Sequence, residues 1–236
     1  VDDASTDRTR EIALGLARED PRVRCVSHET NLKLGGAMKT GFASSTKEVV
    51  IYSDIDLPFD LREIERALHL LGYLEADMIC AFRLDRTSEG PRRIAYSFVY
   101  NLLIRSLFGV HIKDVNFSFK LVHRRVLDQI CLSARTVFID GQLLAEARRK
   151  GFQLSELPID YHPRVIGSSS FNSLRAAWVT LLEIVKHRFA PDSLAIQGPK
   201  AIEVQNEPMK FPSLPSPELL AELAKHHSDP SLPRLG

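Results

Sequence analysis

The apolar positions of the chain change their period several times, and each change predicts an element. Val49, Val50, Ile51 and Tyr52 form a continuous β-branched and aromatic run, the pattern of a strand buried on both faces. Met78 to Phe82 reads the same way. Between them, Leu61 to Leu71 repeats at helical spacing. Upstream, Val1-Asp2-Asp3 reads as the end of a strand. A helix capped by Ser5 or Thr6 follows, with Asp7 and Glu11 at its positive start and Ile12 and Leu16 on its apolar face. Val23 to Val26 predicts a short strand, and Gly35-Gly36 opens a helix carrying Met38 and Phe42. Strand, helix, strand, helix predicts a mostly parallel sheet with helices on both faces.

The second half continues with a long apolar helix over Ile94 to Leu107 and a strand over Phe117 to Val122. A helix over Gly141 to Lys150, a strand over Leu154 to Tyr161 and a helix over Leu174 to Arg188 follow. From Pro191 onward, prolines at 191, 199, 208, 212, 215, 217, 230 and 233 break every period. Residues 1–190 are therefore read as one α/β domain and residues 191–236 as a largely disordered tail.

Composition narrows the classes. A chain of 236 residues with 44% hydrophobic and 26% charged residues is of ordinary globular type. A net charge of +1 gives no general pull towards nucleic acid. The richest apolar run, Ile94 to Val110, is interrupted by Ser97, Asn101, Arg105 and Ser106, so any membrane contact is expected to be peripheral. Cys25, Cys80 and Cys131 form no C-x-x-C pair and read as reduced core thiols of a cytosolic protein. His28, His111, His123, His226 and His227 lack metal-ligand spacing and read as incidental.

In α/β sheets, ligands bind at the carboxyl ends of the strands. Two acidic segments are predicted there: Asp2-Asp3 and Asp54-Ile55-Asp56. In an extended chain, residues i and i+2 point the same way, so Asp54 and Asp56 would stand side by side and repel. A hard divalent cation such as Mg²⁺ or Mn²⁺ relieves that, taking one or two carboxylates plus substrate phosphates. A turn before Pro58 is the plainer reading of the same residues. Asp2 and Asp3 offer acceptors for a ribose or a base, or else a simple helix cap. Gly35-Gly36 lets backbone approach a ligand closely, or is an ordinary flexible loop. Phe98, Val99, Leu102, Leu103, Ile104 and Leu107, and likewise Trp178, Leu181, Leu182 and Val185, read first as core stripes. The alternative is a face turned to lipid.

The order D-D-x-S, N-x-x-x-G-G-A, D-x-D resembles glycosyltransferase family two, with its GT-A fold: a Rossmann-like mixed sheet flanked by helices. The closer likeness is to dolichyl-phosphate mannose synthase and bacterial polyprenyl-phosphate sugar transferases. It extends over roughly residues 1 to 190. Arg83 falls where those enzymes carry an arginine after a strand. Asp114 to Lys120 is similar to their D-x-x-x-G-F-K, Phe138 to Leu144 to their F-x-F-D-x-E-L-L, and Arg164 to Ser168 to their R-x-x-G-S.

The resemblance implies that Asp54 and Asp56 hold Mg²⁺ or Mn²⁺ on the diphosphate of a UDP- or GDP-hexose. It implies that Asp2, Asp3, Gly35, Gly36, Arg83, Lys120 and Gln142 contact substrate. Asp140 would lie near the sugar or acceptor, and Arg164 and Ser168 in a loop over phosphate. It implies an inverting hexosyl transfer to a polyprenyl phosphate, in the cytoplasm at the inner face of a membrane. Transfer to a saccharide hydroxyl and an inactive nucleotide-binding domain are the other readings. The chain departs from the pattern at Pro58, Ser118, Gln142 and Ser169. The family also has a strand and helix before D-D-x-S, so the sheet is expected to lack its first strand, at a cost to stability or activity.

Overall fold

The computed structural model describes residues 1–87, 90–162 and 174–189. The tail expected to be disordered, residues 191–236, lies outside them, as do Arg164 and Ser168.

Strands β1 (Val49–Ser53), β2 (Met78–Arg83), β3 (Phe119–His123) and β4 (Leu154–Ile159) form one sheet in the order β1-β3-β2-β4. β3 is antiparallel to both β1 and β2, whereas β2 and β4 are parallel. Three strands therefore share a direction and β3 alone is reversed. The alternation of strands and helices predicts a mostly parallel sheet; the sheet is mixed. Hydropathy periods carry no strand direction, so a reversed strand reached through a helix looks the same in sequence.

Cross-strand pairs put Val50, Tyr52, Met78, Cys80, Lys120 and Val122 on one face. That face packs on Met38 and Phe42 of α2 (Lys33–Ser44) and on α6 (Phe138–Arg149). Ile79, Leu121 and Phe119 face the other way, against Ala67 and Leu71 of α3 (Arg62–Tyr73). Each residue of α6 from Phe138 to Ala147 is buried. The helix can be so enclosed because α4 (Pro91–Phe108) and α7 (Leu174–Phe189) cover its outer side. Phe108 and Phe138 both stack beside the His187 ring, tying α4, α6 and α7 together.

Four sequence expectations need correction. β1 is not buried on both faces: it lies at the edge of the described sheet, and Ile51 is 37% exposed. α3 packs over β2 and β4 instead. An apolar run marks a strand, not its place in the sheet. The strand over Val23 to Val26 condenses to a single parallel bridge between Asp2 and Ser27. Among the described residues, the backbone hydrogen bonds that join these segments are Asp2 N–H to Val26 O and His28 N–H to Asp2 O. The first helix, α1 (Thr9–Glu19), takes its terminal hydrogen bond from Asp7 Oδ1 to Thr9 N–H, not from Ser5 or Thr6.

The fourth concerns α4. Pro91 starts it and Gly109, with φ +67, ends it, both as their chemistry favours. Its stripe is only partly core: Ile104 is buried and Leu107 packs against the core, but Phe98 is 67% and Leu102 51% exposed. On α7, Trp178, Leu182 and Phe189 are likewise exposed. Of the cysteines, Cys80 is buried, and that burial pushes its thiol up to about 12, whereas Cys131 is exposed.

Candidate active site

β1 and β2 end, and β3 begins, at one edge of the sheet. β1 runs directly into Asp54-Ile55-Asp56. The extended geometry expected there is replaced by a turn, closed by Leu57 N–H to Asp54 O at 3.3 Å. Leu57 sits at φ +40. Ala4, just after Asp2-Asp3, and Lys33, just before Gly35, also have positive φ, at +59 and +65. Among the described residues, three of the four non-glycine positions in this region of backbone space thus adjoin the predicted site motifs. Such strain persists where the surrounding structure holds it, and it clusters at binding and catalytic sites.

Lys120 occupies the centre of this edge. Its partners across the sheet are Tyr52 and Cys80, so its side chain rises between two neighbours towards α6. The ammonium donates to Asp140 Oδ1 at 2.5 Å and to the Phe117 carbonyl at 2.6 Å, and lies 5.6 Å from the Tyr52 ring centre. Lys120 and Asp140 are both fully buried. Burial raises the Asp140 carboxyl, the Lys120 charge and hydrogen bond lower it, and the nearby Asp54 and Asp114 carboxylates raise it again; the net shift is upward. Burial, Asp140 and Asp54 also raise the Tyr52 hydroxyl. Asp54 and Asp114 thus both bear on the buried Asp140 carboxyl, which Lys120 offsets.

Arg83, at the end of β2, forms a forked pair with Asp114 at 2.7 and 3.0 Å. Its guanidinium lies 5.3 Å from the Phe117 ring centre and 5.2 Å from that of Tyr161. The fork binds the D-x-x-x-S-F-K loop to β2, and the Arg86 guanidinium approaches the same carboxylate at 4.0 Å. In the same loop, Asn116 Oδ1 is buried without a hydrogen-bond partner among the described residues.

Asp2 is buried, with Oδ1 accepting from Ser5 N–H at 3.3 Å and Oδ2 lacking a partner among the described residues. Asp3 Oδ1 accepts from Leu32 N–H and pairs with His28 Nδ1, both at 2.7 Å. His28 Nε2 meets Thr40 Oγ1 of α2 at 2.8 Å. Sequence reasoning set His28 aside because it looked for metal spacing. A histidine facing a carboxylate across a bridge has no signature in spacing.

Three predicted substrate contacts, Gly35, Gly36 and Gln142, also have internal work. A Cβ on Gly35 would lie 2.2 Å from the Ala134 carbonyl, and one on Gly36 2.3 Å from Leu32 Cβ. The close approach these glycines permit is to the chain's own loop. Gln142 is buried; its Oε1 accepts from Ser133 N–H and Ala134 N–H at 3.0 and 2.8 Å, and its Nε2 donates to Ser133 Oγ. It fixes the loop on which Gly35 packs.

Among the described residues, no group of three or more His, Cys, Asp or Glu side chains is arranged to hold a metal. Asp54 and Asp56 can supply two carboxylate ligands, which suits a hard cation whose remaining positions go to phosphate oxygens and water. Lys120 already offsets Asp140, and Arg83 offsets Asp114, so a cation would answer to Asp54 and Asp56.

A mixed α/β sheet with carboxylates at its strand ends is the GT-A fold. Glucosyl-3-phosphoglycerate synthase of Mycobacterium tuberculosis, solved with Mn²⁺, UDP-glucose and phosphoglyceric acid, shares it. The TM-score is 0.57 at 16% identity, over 80% of this chain and 67% of that one. Residues 1–131 match Glycosyl transferase family 2, and the chain belongs to that family. Polyprenol monophosphomannose synthase of Mycolicibacterium smegmatis is 30% identical over 196 residues, covering 78% of this chain and 74% of the relative. Glycosyltransferase AglD of Haloferax volcanii is 30% identical over 169 residues, 70% of this chain and 27% of the relative. Dolichyl-phosphate beta-glucosyltransferase ALG5A of Trichomonas vaginalis is 28% identical over 171 residues, 69% of this chain and 53% of the relative. The chain thus spans about half or less of those last two proteins.

Proposed function

We propose that this chain transfers a hexose from a UDP- or GDP-sugar to a polyprenyl phosphate, in a single inverting displacement that depends on Mg²⁺ or Mn²⁺. The observation that carries this reading is the turn closing β1, which sets Asp54 and Asp56 at the strand ends where the buried Lys120–Asp140 pair also lies. The departing nucleoside diphosphate gains negative charge, and a fixed cation at Asp54 and Asp56 offsets it. Relatives named for dolichyl and polyprenol phosphates support the acceptor. A fold neighbour solved with Mn²⁺ and UDP-glucose supports the donor and the metal.

The chain's own residues have separate tasks. Asp2 and Asp3 receive the nucleoside. Arg83 keeps the Asp114 to Lys120 loop against the sugar, and Lys120 holds Asp140 in place. Arg164 and Ser168 close on phosphate. A lipid phosphate is already anionic and needs no base, which fits Gln142 at the position where the family carries an acid. The exposed rows of α4 and α7, flanked by Arg92, Arg93, Arg105, Arg175, Lys186 and Arg188, rest on the inner face of the membrane. No helix among the described residues is long and apolar enough to cross it.

A second acceptor class is favoured by one observation. The raised Asp140 carboxyl has the property a base for a saccharide hydroxyl needs. Release of nucleoside diphosphate from UDP- and GDP-hexoses separates the two readings. Metal-dependent release that requires a short polyprenyl phosphate and is lost in Asp56→Ala supports the proposal. Release that proceeds equally with a soluble saccharide overturns the lipid acceptor, and no release with any donor overturns the transfer itself.

A further inference from the structure

Asp3 presents an asymmetric carboxylate. Oδ1 is engaged twice, by Leu32 N–H and by His28 Nδ1, each at 2.7 Å. Among the described residues no hydrogen bond reaches Oδ2. The side chain is 20% exposed, so it is not sealed from solvent. The histidine that grips Oδ1 is itself fixed at its far end. Its Nε2 lies 2.8 Å from Thr40 Oγ1, and the ring is only 10% exposed. A carboxylate oxygen only accepts, so Nδ1 donates to Asp3, and Nε2 of the neutral ring accepts from the Thr40 hydroxyl.

The backbone around the pair is set as firmly. Asp2 N–H bonds Val26 O at 2.8 Å and His28 N–H bonds Asp2 O at 2.9 Å, which places the two side chains across one bridge. Ala4, at φ +59, then turns the chain away directly after Asp3. One carboxylate oxygen is thus doubly engaged, which fixes the orientation of the group and leaves the other to accept. We infer that His28, braced by Thr40, is a positioning residue that locks the Asp3 carboxylate so that Oδ2 accepts a hydrogen bond from the nucleoside of the donor. The matching donor on the ligand is a ribose hydroxyl or a ring N–H of the base. This rests on the proposed use of a nucleoside diphosphate sugar, and adds to it a residue that touches no substrate.

The test is calorimetric titration of UDP and of GDP, with Mn²⁺, into the whole chain and four variants. These are Asp3→Asn, His28→Leu, His28→Asn and the double variant Asp3→Asn with His28→Leu. Thermal unfolding confirms that each is folded. The expected result is a loss of about tenfold in affinity for His28→Leu, the size of one charge-assisted hydrogen bond. His28→Asn, whose amide can donate from the place of Nδ1, should recover most of that loss. The double variant should bind no more weakly than Asp3→Asn alone, since His28 acts only through Asp3.

If Asp3→Asn weakens binding and folded His28→Leu does not, the positioning role is overturned and the nucleoside contact stands. Losses that add in the double variant also overturn it, because they give His28 a separate, general effect. Wild-type affinity in Asp3→Asn, or no nucleotide bound by the wild-type chain, removes the nucleoside reading beneath it.

Discussion

Lys120 and Asp140 close a buried ion pair at 2.5 Å between the central strand and the first turn of α6. Its loss from either side leaves an uncompensated charge, which in buried pairs costs about 3–5 kcal/mol. Lys120→Met is therefore expected to destabilise the fold by about that amount in urea unfolding. Pairing it with Asp140→Leu should return much of the loss, since an apolar pair leaves no charge stranded.

The carboxyl of Glu146 gives the fold an acid limit. Burial works against its ionisation, but hydrogen bonds from His187 and Arg149 outweigh burial and hold it below its ordinary value of 4.5. A lowered carboxyl contributes stability that is present above the unfolded value and is lost as pH falls through the folded one. Asp140, raised in the fold, works in the opposite sense: its burden on stability appears as pH rises above its ordinary 3.8. Glu146→Gln is expected to flatten the fall in melting temperature below about pH 4.5. It should also loosen α7, whose His187 meets Glu146 Oε1 at 3.1 Å, seen as faster hydrogen exchange along α7.

Gly35 tests whether the glycine pair is there for packing. A methyl group would lie 2.2 Å from a backbone oxygen and 2.7 Å from the Arg135 Cα, neither of which a side-chain rotation can relieve. Gly35→Ala should cost about 1–3 kcal/mol in unfolding free energy, as overpacking does, although alanine is the better helix former. Unchanged stability would mean that the 133–135 loop yields freely.

These contacts show what sequence could and could not reveal. Helix and strand positions were legible because core-facing periods are long and consistent, as in β2 and α6. The place of Asp54 and Asp56 at the end of β1 was legible because they follow a strand, but the turn that replaces their extended geometry was not. The reversed direction of β3, the edge position of β1 and the exposed face of α4 were not, because each depends on what packs beside an element rather than on its own period. Gln142 and His28 show the same limit. An amide that pins a loop and a histidine that grips an aspartate are defined by partners nine and 25 residues away in the chain. The roles of Arg164 and Ser168 rest on their motif alone.

The exposed apolar row on α4 carries a prediction about membranes. Phe98, Val99 and Leu102 make little contact with the core, so removing them should leave the fold intact. Each large apolar side chain withdrawn from water contributes about 1.5–3 kcal/mol. Phe98→Ser with Leu102→Ser should therefore reduce sedimentation with anionic vesicles by at least tenfold while shifting the melting temperature little. A large drop in melting temperature instead would return the stripe to the core.

Asp54 leads to a prediction that does not need turnover. Its charge raises both the Asp140 carboxyl and the Tyr52 hydroxyl, so folding gathers negative charge at the end of β1. A divalent cation that binds only the folded chain stabilises it by mass action, by about 1.4 kcal/mol at ten times its dissociation constant. For a domain of this size that corresponds to a rise of about 3–6 °C in melting temperature. Mn²⁺ with a nucleoside diphosphate should produce such a rise in the wild-type chain and none in Asp56→Ala. Asp54→Asn should also abolish it. Without the metal, Asp54→Asn should unfold no earlier than the wild type, because it removes one of the charges that burden Asp140. An equal response to Mn²⁺ in all three proteins would place the cation elsewhere.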